Sequence, residues 1–345
     1  MNMVRVILCG VGAVGRRIAK FLLEKEGVKI VGALDTAEEK VGRDLGEVIG
    51  IKKKLGIVVS DEADAVLSRA EADVMVHATT SFLKQVYPQI AKALEHGVNV
   101  ISTCEELSYP YIADGNLARK LDELAKRHGA TVLGTGVNPG FVMDTLPITL
   151  TGACQKVKAI KVTRALDAAN RRVPFQKKIG AGLTTQELQE KLEKREITAH
   201  VGLEQSMNLI ASALGWELEE VKVAPIEPVM AERRVASKVE GGVTVEPGQV
   251  AGLKKSGWAI EGGKRVITLD LHMYMGAEEY ELYTIEGVPS ITMKNTPCFH
   301  GDISTVAMIV NSIPKVINAP PGLVTMKDLP IPSATPEHMK NYISR

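Results

Sequence analysis

Residues 4–15 read Val4-Arg5-Val6-Ile7-Leu8-Cys9-Gly10-Val11-Gly12-Ala13-Val14-Gly15, and this stretch decides the fold. Its first six residues are an apolar run with β-branched side chains, the composition of a buried strand, and the glycines follow without a gap. G-x-G-x-x-G between a strand and a helix is the pattern of a turn that cradles a pyrophosphate. Gly10 permits the tight turn, Gly12 lets the backbone approach the phosphates, and Gly15 lets the helix pack close on the strand. The helix begins at Ala13 and carries Ile18, Phe21 and Leu22 on one side, so Ala13 and Val14 bring its first N–H groups and positive dipole end to the phosphates. A second apolar strand, Lys29 to Leu34, ends in Asp35, twenty residues beyond Gly15, where a carboxylate accepts hydrogen bonds from adenosine ribose hydroxyls. Because that carboxylate repels a 2′-phosphate, NAD is the expected cofactor. Lys40 and Arg43 lie near enough in sequence to keep NADP possible.

With 345 residues the chain has room for two domains of roughly 100–200 residues each, and 45% hydrophobic residues can fill their cores. Aromatic residues make up only 4%, so those cores must be aliphatic. Lysine plus arginine (42) nearly balances aspartate plus glutamate (41), so no global field recruits nucleic acid or an anionic membrane, and the expected ligand is a small molecule. No apolar run reaches the roughly 20 residues that span a bilayer, and the N-terminus enters a strand at once, which predicts a cytoplasmic protein. Cys9, Cys104, Cys154 and Cys298 are widely spaced, without a C-x-x-C pair, so neither a metal site nor a disulfide framework is expected.

The first 140 residues alternate strand and helix as a doubly wound parallel sheet requires. After a short strand at Gly56–Ser60 and a short helix at Glu62–Ser68, the strand Asp73–Ala78 stops at Thr79-Thr80-Ser81 before a helix over Phe82–His96. Ligands lie beyond the carboxyl ends of such strands, which places Ala78, Thr79 and Thr80 at the nicotinamide half of the cofactor, with Ser81 available as a helix cap. The strand Asn99–Thr103 ends at Cys104-Glu105-Glu106. Two adjacent carboxylates at a strand mouth are candidates for general acid/base work; since neighbours leave a strand on opposite sides, only one can face a substrate. The bland alternative is that both cap a helix starting near Pro110. After the strand Ala130–Leu133, Gly134 to Phe141 turns sharply, with Asn138 offering donors and acceptors and Phe141 an apolar wall, or serves only as a hinge.

Composition changes after Leu150. A strand over Gln155–Leu166, helices at Thr184–Arg195 and Leu203–Leu214, and strand-like runs from Glu217 to Lys294 (Val221–Val223, Val229–Ser237, Val250–Glu261, Arg265–Met275, Glu279–Ile285) describe an α+β domain with a mixed or antiparallel sheet. An amphipathic helix opening at Gly301-Asp302 and ended by Pro314 packs back on the first domain, before a Pro-rich tail. The expected organisation is a Rossmann-type domain over 1–140, an α+β substrate and dimerisation domain over 141–300, and a returning helix and tail over 301–345. An apolar face on the exposed mixed sheet predicts a homodimer.

Five stretches together resemble the 2,4-diaminopentanoate dehydrogenases and native amine dehydrogenases of the dihydrodipicolinate-reductase-like superfamily: Gly10 to Gly15, His77 to Ser81, Ser102 to Glu106, Gly134 to Phe141, and Arg164 to Pro174. The resemblance covers nearly the whole chain, and GTGVNPGF is its most specific piece. It implies NAD(P)-dependent oxidative deamination at C4 of 2,4-diaminopentanoate to 2-amino-4-oxopentanoate and ammonia, and reductive amination of small ketones in reverse. It also implies that the catalytic carboxylate falls on Glu105, with Glu106 the second choice, and the active-site asparagine on Asn138. The paired-histidine and lysine motif and the P-S-G-T turn of dihydrodipicolinate reductases are missing here.

The chemistry stands without the family. An ammonium releases no hydride from its carbon until it loses a proton, so a base is needed beside the amine, and the same base can take a proton from the water that attacks the iminium. For a substrate carboxylate the second domain offers Arg164, Asn170, Arg171 and Arg172, among which an arginine fork matches best. His200, His272 and His300 stand isolated and read as structural. The competing readings are a dihydrodipicolinate-type reductase, an aspartate-type dehydrogenase, and a non-catalytic NAD-binding scaffold.

Overall fold

In the computed structural model, which describes residues 3–194, 196–197 and 200–344, the chain divides into two compact units, Met1–Phe141 with His300–Arg345, and Val142–Phe299. The first unit contains strands β1 (Val4–Cys9), β2 (Val28–Leu34), β3 (Val59–Ser60), β4 (Val74–His77), β5 (Asn99–Ser102) and β6 (Thr131–Gly134). Its helices are α1 (Ala13–Glu24), α2 (Leu45–Val48), α3 (Ala63–Ala70), α4 (Leu83–Glu95) and α5 (Gly115–His128). The second unit holds α6 (Thr145–Thr151), α7 (Val173–Lys178), α8 (Thr185–Glu193), α9 (Leu203–Leu214) and strands β7 (Lys156–Asp167), β8 (Glu220–Val223), β9 (Glu227–Met230), β10 (Val235–Ala236), β11 (Thr244–Val245), β12 (Val250–Glu261), β13 (Lys264–Tyr274), β14 (Tyr280–Val288) and β15 (Ile291–Asn295). Helix α10 (Gly301–Asn318) and strand β16 (Gly322–Val324) belong to the first unit again.

The first sheet is all parallel in the order β16-β6-β5-β4-β1-β2-β3. Its strands are buried on both faces, as parallel strands covered by helices must be: β4 and β6 have no exposed residue. The order reverses direction around β1, so β1 and β4 open the crevice of a doubly wound sheet at their carboxyl ends. Helix α10 lies along this sheet with Val306, Ile309, Val310, Ile313 and Val316 buried.

Three expectations are corrected here. Helix α10 runs through Pro314 to Asn318, because its last turns are buried and that packing outweighs one missing hydrogen bond. The tail supplies a seventh strand, β16, whose Leu323 pairs with Val132 of β6. The helix expected near Pro110 starts instead at Gly115, where the Asp114 carboxylate accepts from the N–H of Leu117, and only single 3₁₀ turns precede it. The helix expected over Thr184–Arg195 runs from Thr185 to Glu193, and Arg195 lies outside the described residues.

The second sheet is mixed, ordered β15-β14-β7-β13-β12-β8, with β9 pairing β12 and only β7 and β13 parallel. Ile160, Val162, Ile267, Leu269, Leu271 and Met273 form its buried face. Helix α9 packs there: a Cβ on Gly257 would lie 2.9 Å from the Met207 methyl. The opposite face, expected to be apolar, sets Trp258, Leu282 and Tyr280 among the polar and charged groups Lys161, Ser256, Asp270 and His272. Among the described residues no helix is long and apolar enough to cross a membrane, and no three His, Cys, Asp or Glu side chains gather as a metal site.

Candidate active site

The glycine turn has the geometry that its sequence demands. Gly10 sits at φ +90°, and a Cβ there would lie 2.4 Å from the Ala78 carbonyl oxygen; one on Gly15 would lie 1.9 Å from the Gly10 oxygen. At Gly12, the N-cap of α1, an added Cβ meets nothing within 4 Å. Two glycines are therefore demanded by the protein's own packing and the middle one by open space, which is the arrangement a pyrophosphate on the N-terminus of α1 requires.

That space continues into a cavity of about 540 Å³ at the carboxyl ends of β1, β2 and β4, bounded by Gly10, Gly12, Asp35, Lys40, Ala78 and Thr79. The sequence reading missed its far wall of Asp61–Asp64 on the β3–α3 side and Pro88, Gln89 and Lys92 on α4, which no local pattern connects to the turn. Asp35 accepts from the N–H of Val11 at 2.7 Å and of Ala37 at 3.0 Å, and pairs with the Lys40 ammonium at 3.0 Å. Burial alone would raise its pKa, but these bonds together hold it below the usual carboxylate range. A carboxylate so fixed fits ribose hydroxyls, and Lys40 beside it supplies a cation at the same place. The residues present thus fit an adenine dinucleotide.

The two carboxylates after β5 are separated by their partners. Strand β5 ends at Ser102, and Glu105 and Glu106 lie in a turn, so strand alternation does not distinguish them. Glu106 Oε2 accepts from the N–H of Leu83 at 2.7 Å, and its own N–H donates to the Ser81 carbonyl. It satisfies the first turn of α4, the task expected of Ser81, and neither carboxylate caps the helix after Pro110. Glu105 is half-buried and has no hydrogen-bond or ion-pair partner among the described residues; its carbonyl takes the Ser108 hydroxyl and N–H. Of the strand-mouth residues, Thr79 lines the cavity and Thr80 bonds Gln85 at 2.8 Å.

The loop Gly134–Phe141 packs on the turn that carries Glu105: a Cβ on Gly134 would lie 2.4 Å from the Leu107 carbonyl carbon, and the Val137 N–H donates to Thr305 Oγ1 at 3.3 Å. Asn138 is half-buried in this loop. Phe141 lies apart from the dinucleotide cavity, lining a smaller pocket of about 170 Å³ with Met308, Lys315 and Pro332.

Residues 141–345 match the family described as the 2,4-diaminopentanoate dehydrogenase C-terminal domain, and residues 4–105 match the dihydrodipicolinate reductase N-terminus. The 2,4-diaminopentanoate dehydrogenase of Acetoanaerobium sticklandii is 35% identical across 100% of this chain and 98% of its own. The chain belongs to the 2,4-diaminopentanoate dehydrogenase family. An amine dehydrogenase of Streptomyces virginiae is 22% identical over 95% of this chain and 97% of its own length. The amine dehydrogenase structure from Mycobacterium smegmatis superposes with a TM-score of 0.82 at 29% identity, covering 97% of this chain and 98% of that one. A dihydrodipicolinate reductase from Paenisporosarcina shares the fold at 14% identity and a TM-score of 0.52, covering 94% of this chain and 98% of that one. Like its family, this chain is an oxidoreductase built on a Rossmann-type domain.

In this diaminopentanoate dehydrogenase family member the second unit's polar candidates have distinct surroundings. Arg171 Nη2 donates to Glu279 Oε1 at 2.7 Å and to Cys298 at 3.3 Å, and Asn170 donates to Asp167 at 3.3 Å. Arg172 is the residue before α7. Arg164, on the buried face of β7, is 2% exposed. Its Nη2 donates to the Phe299 carbonyl at 2.8 Å and its Nε lies 3.6 Å from Glu281, while Nε and Nη1 have no hydrogen-bond acceptor among the described residues. Burial pulls its pKa down against the opposing pull of Glu281.

Proposed function

We propose that this enzyme oxidises 2,4-diaminopentanoate at C4: the ammonium substrate, NAD⁺ and water give 2-amino-4-oxopentanoate, ammonium, NADH and a proton. The reverse reaction aminates small ketones. One observation carries the reading: of two neighbouring carboxylates, Glu106 is spent on the N-terminus of α4 and Glu105 is left with a free carboxylate among the described residues. Glu105 takes the proton that frees the amine lone pair, and later the proton of the water that attacks the iminium. A nicotinamide cofactor held by Gly10, Gly12 and Asp35 would supply the acceptor for the hydride that leaves C4. Asn138, in the loop packed on the Glu105 turn, offers an amide to orient the amine or the water.

Arg164 is the arginine assigned to the substrate carboxylate. Its buried guanidinium keeps Nη1 without an acceptor among the described residues and Nε in a looser pair 3.6 Å from Glu281, whereas Arg171 is hydrogen-bonded to Glu279 at 2.7 Å. For the cofactor, Asp35 favours NAD, and Lys40 at 3.0 Å from it keeps NADP usable at lower efficiency. Asp35→Ala should narrow that preference.

The test is NADH formation with 2,4-diaminopentanoate, with a carboxylate-free amine of similar size and with aspartate. High kcat/KM on the diamino acid alone, levelled by Arg164→Met, is expected. Equal rates on the diamino acid and the plain amine would remove the carboxylate assignment. No amine turnover at all, with NADH still bound, would leave a nucleotide-binding scaffold. The match of residues 4–105 to dihydrodipicolinate reductase favours a reductase as second reading, and reduction of dihydrodipicolinate in place of amine oxidation would establish it.

A further inference from the structure

His77 takes no part in the chemistry above, yet it is fully buried at the end of β4, where it pairs with Cys9 of β1 and Ser102 of β5. Its Nδ1 lies 2.8 Å from Ser102 Oγ and its Nε2 2.7 Å from Gln89 Oε1 and 3.0 Å from Thr79 Oγ1. The neighbours fix the proton positions. Gln89 Oε1 can only accept, so Nε2 carries the ring proton and donates it there, beside the Thr79 hydroxyl that donates to the same oxygen at 3.1 Å. Nδ1 is then the acceptor for the Ser102 hydroxyl, whose oxygen in turn accepts from the Cys104 N–H at 3.1 Å. Burial pushes the His77 pKa down to about 4, so the ring is neutral near pH 7.

The two ends of the chain of bonds lie at functional places. Thr79 and Gln89 line the 540 Å³ dinucleotide cavity, and since the Gln89 carbonyl points to His77, its amide N–H groups are left for the cavity. At the other end the Cys104 N–H begins the turn that holds Glu105, and the main chain adds a second tie, Thr103 N–H to the His77 carbonyl at 2.9 Å.

We propose that His77 is a positioning residue that locks the Gln89 amide as a donor toward the bound dinucleotide and, through Ser102, fixes the turn presenting Glu105. The kcat half of this inference rests on the amine dehydrogenase reading; the cofactor half does not. NADH affinity is measured by fluorescence titration, and kcat and KM for NAD with 2,4-diaminopentanoate as substrate. His77→Leu should weaken NADH about tenfold and lower kcat as well. His77→Gln keeps an N–H for Gln89 but loses Ser102, so it should regain most of the NADH affinity and little of the kcat. Ser102→Ala should lower kcat by about tenfold, a larger factor than its rise in KM, and Gln89→Met should show the opposite split. A His77→Leu enzyme whose NADH affinity and kcat match the parent's, with only a lower Tm, overturns the proposal, as does Ser102→Ala with parental kcat. If His77→Leu does not fold, the Ser102→Ala, Gln89→Met pair decides: kcat/KM effects that multiply independently overturn it, and coupling of about threefold or more upholds it. A parent enzyme that binds NADH and oxidises no amine ends the amine reading, while the NADH titrations still judge His77.

Discussion

At the residue scale, function turns on which of two identical side chains is already occupied. Glu105→Gln keeps size and removes the base, so kcat should fall by about two to four powers of ten while NADH affinity holds. Glu106→Gln should cost stability, about 1 kcal/mol for a weakened helix N-terminus, and leave most of the kcat. A dead Glu106→Gln beside an active Glu105→Gln would reverse the assignment. Sequence could show the pair but not the choice, since the deciding partner, the Leu83 N–H, is 23 residues away. The buried histidine gives a second residue-scale prediction. Burial lowers the His77 pKa from 6.5 to about 4, against the Gln89 bond that raises it, so between these values the unfolded chain binds more protons than the folded one. Stability is then full above pH 6.5 and falls as pH drops toward 4, by up to about 3 kcal/mol. His200, pushed to about 3 by burial, adds to the same acid limb. Urea unfolding between pH 7 and 4.5 should therefore show a shallower loss in His77→Gln than in the parent, and parallel curves would contradict it.

At the element scale, the β1–α1 turn separates what the protein needs from what its ligand needs. A Cβ on Gly12 meets nothing within 4 Å and its φ of −81° suits any residue, so Gly12→Ala should keep the parental Tm and lose NADH binding. Gly15→Ala must push against the Gly10 carbonyl, 1.9 Å from the new carbon, and should lose stability first, about 1–3 kcal/mol for a forced contact. Thermal melts with and without NADH distinguish the two; equal Tm losses would mean that the open space at Gly12 is not a phosphate cradle. This turn was legible in the sequence because its constraints are local: three glycines, a strand before them and Asp35 after the next strand. Elements fixed by distant partners were not. β16 is three residues long and exists through its pairing with β6, α10 passes Pro314 because buried neighbours hold its last turns, and the far wall of the cavity comes from Asp61–Asp64 at the start of α3 and from α4, which no motif ties to the glycine turn. In the same way Arg164 and Arg171 look alike in one short basic cluster, and only their neighbours across the sheet, Glu281 and Glu279, tell them apart.

At the scale of the whole molecule, the mixed sheet bears on assembly. Helices α6 and α9 cover one face; the other carries rows such as Ser256–Asp270–Thr163–Leu282–Lys294 and Trp258–Thr268–Lys161–Thr284–Thr292, read across β12, β13, β7, β14 and β15. Six strands at about 4.8 Å spacing and up to twelve residues at about 3.3 Å make a face of roughly 1,000 Å², enough for the about 800 Å² per partner of a standard interface. Its chemistry suits a copy of itself. Lys161 pairs with Asp270 at 3.3 Å, so both signs lie near the centre, and Trp258, Leu282 and Tyr280 supply apolar area between them. A two-fold axis through this face would set each cation near a partner anion without leaving either unpaired in the separate chain. Light scattering at micromolar concentration should therefore give twice the chain's 37.2 kDa. Leu282→Arg adds charge at the middle of the face while leaving the buried side of β14 untouched, so it should yield a folded monomer. A parent enzyme that is monomeric, or a Leu282→Arg variant that stays dimeric, would move the interface elsewhere. A monomeric variant with parental NADH affinity would show in addition that the dinucleotide site is complete within one chain.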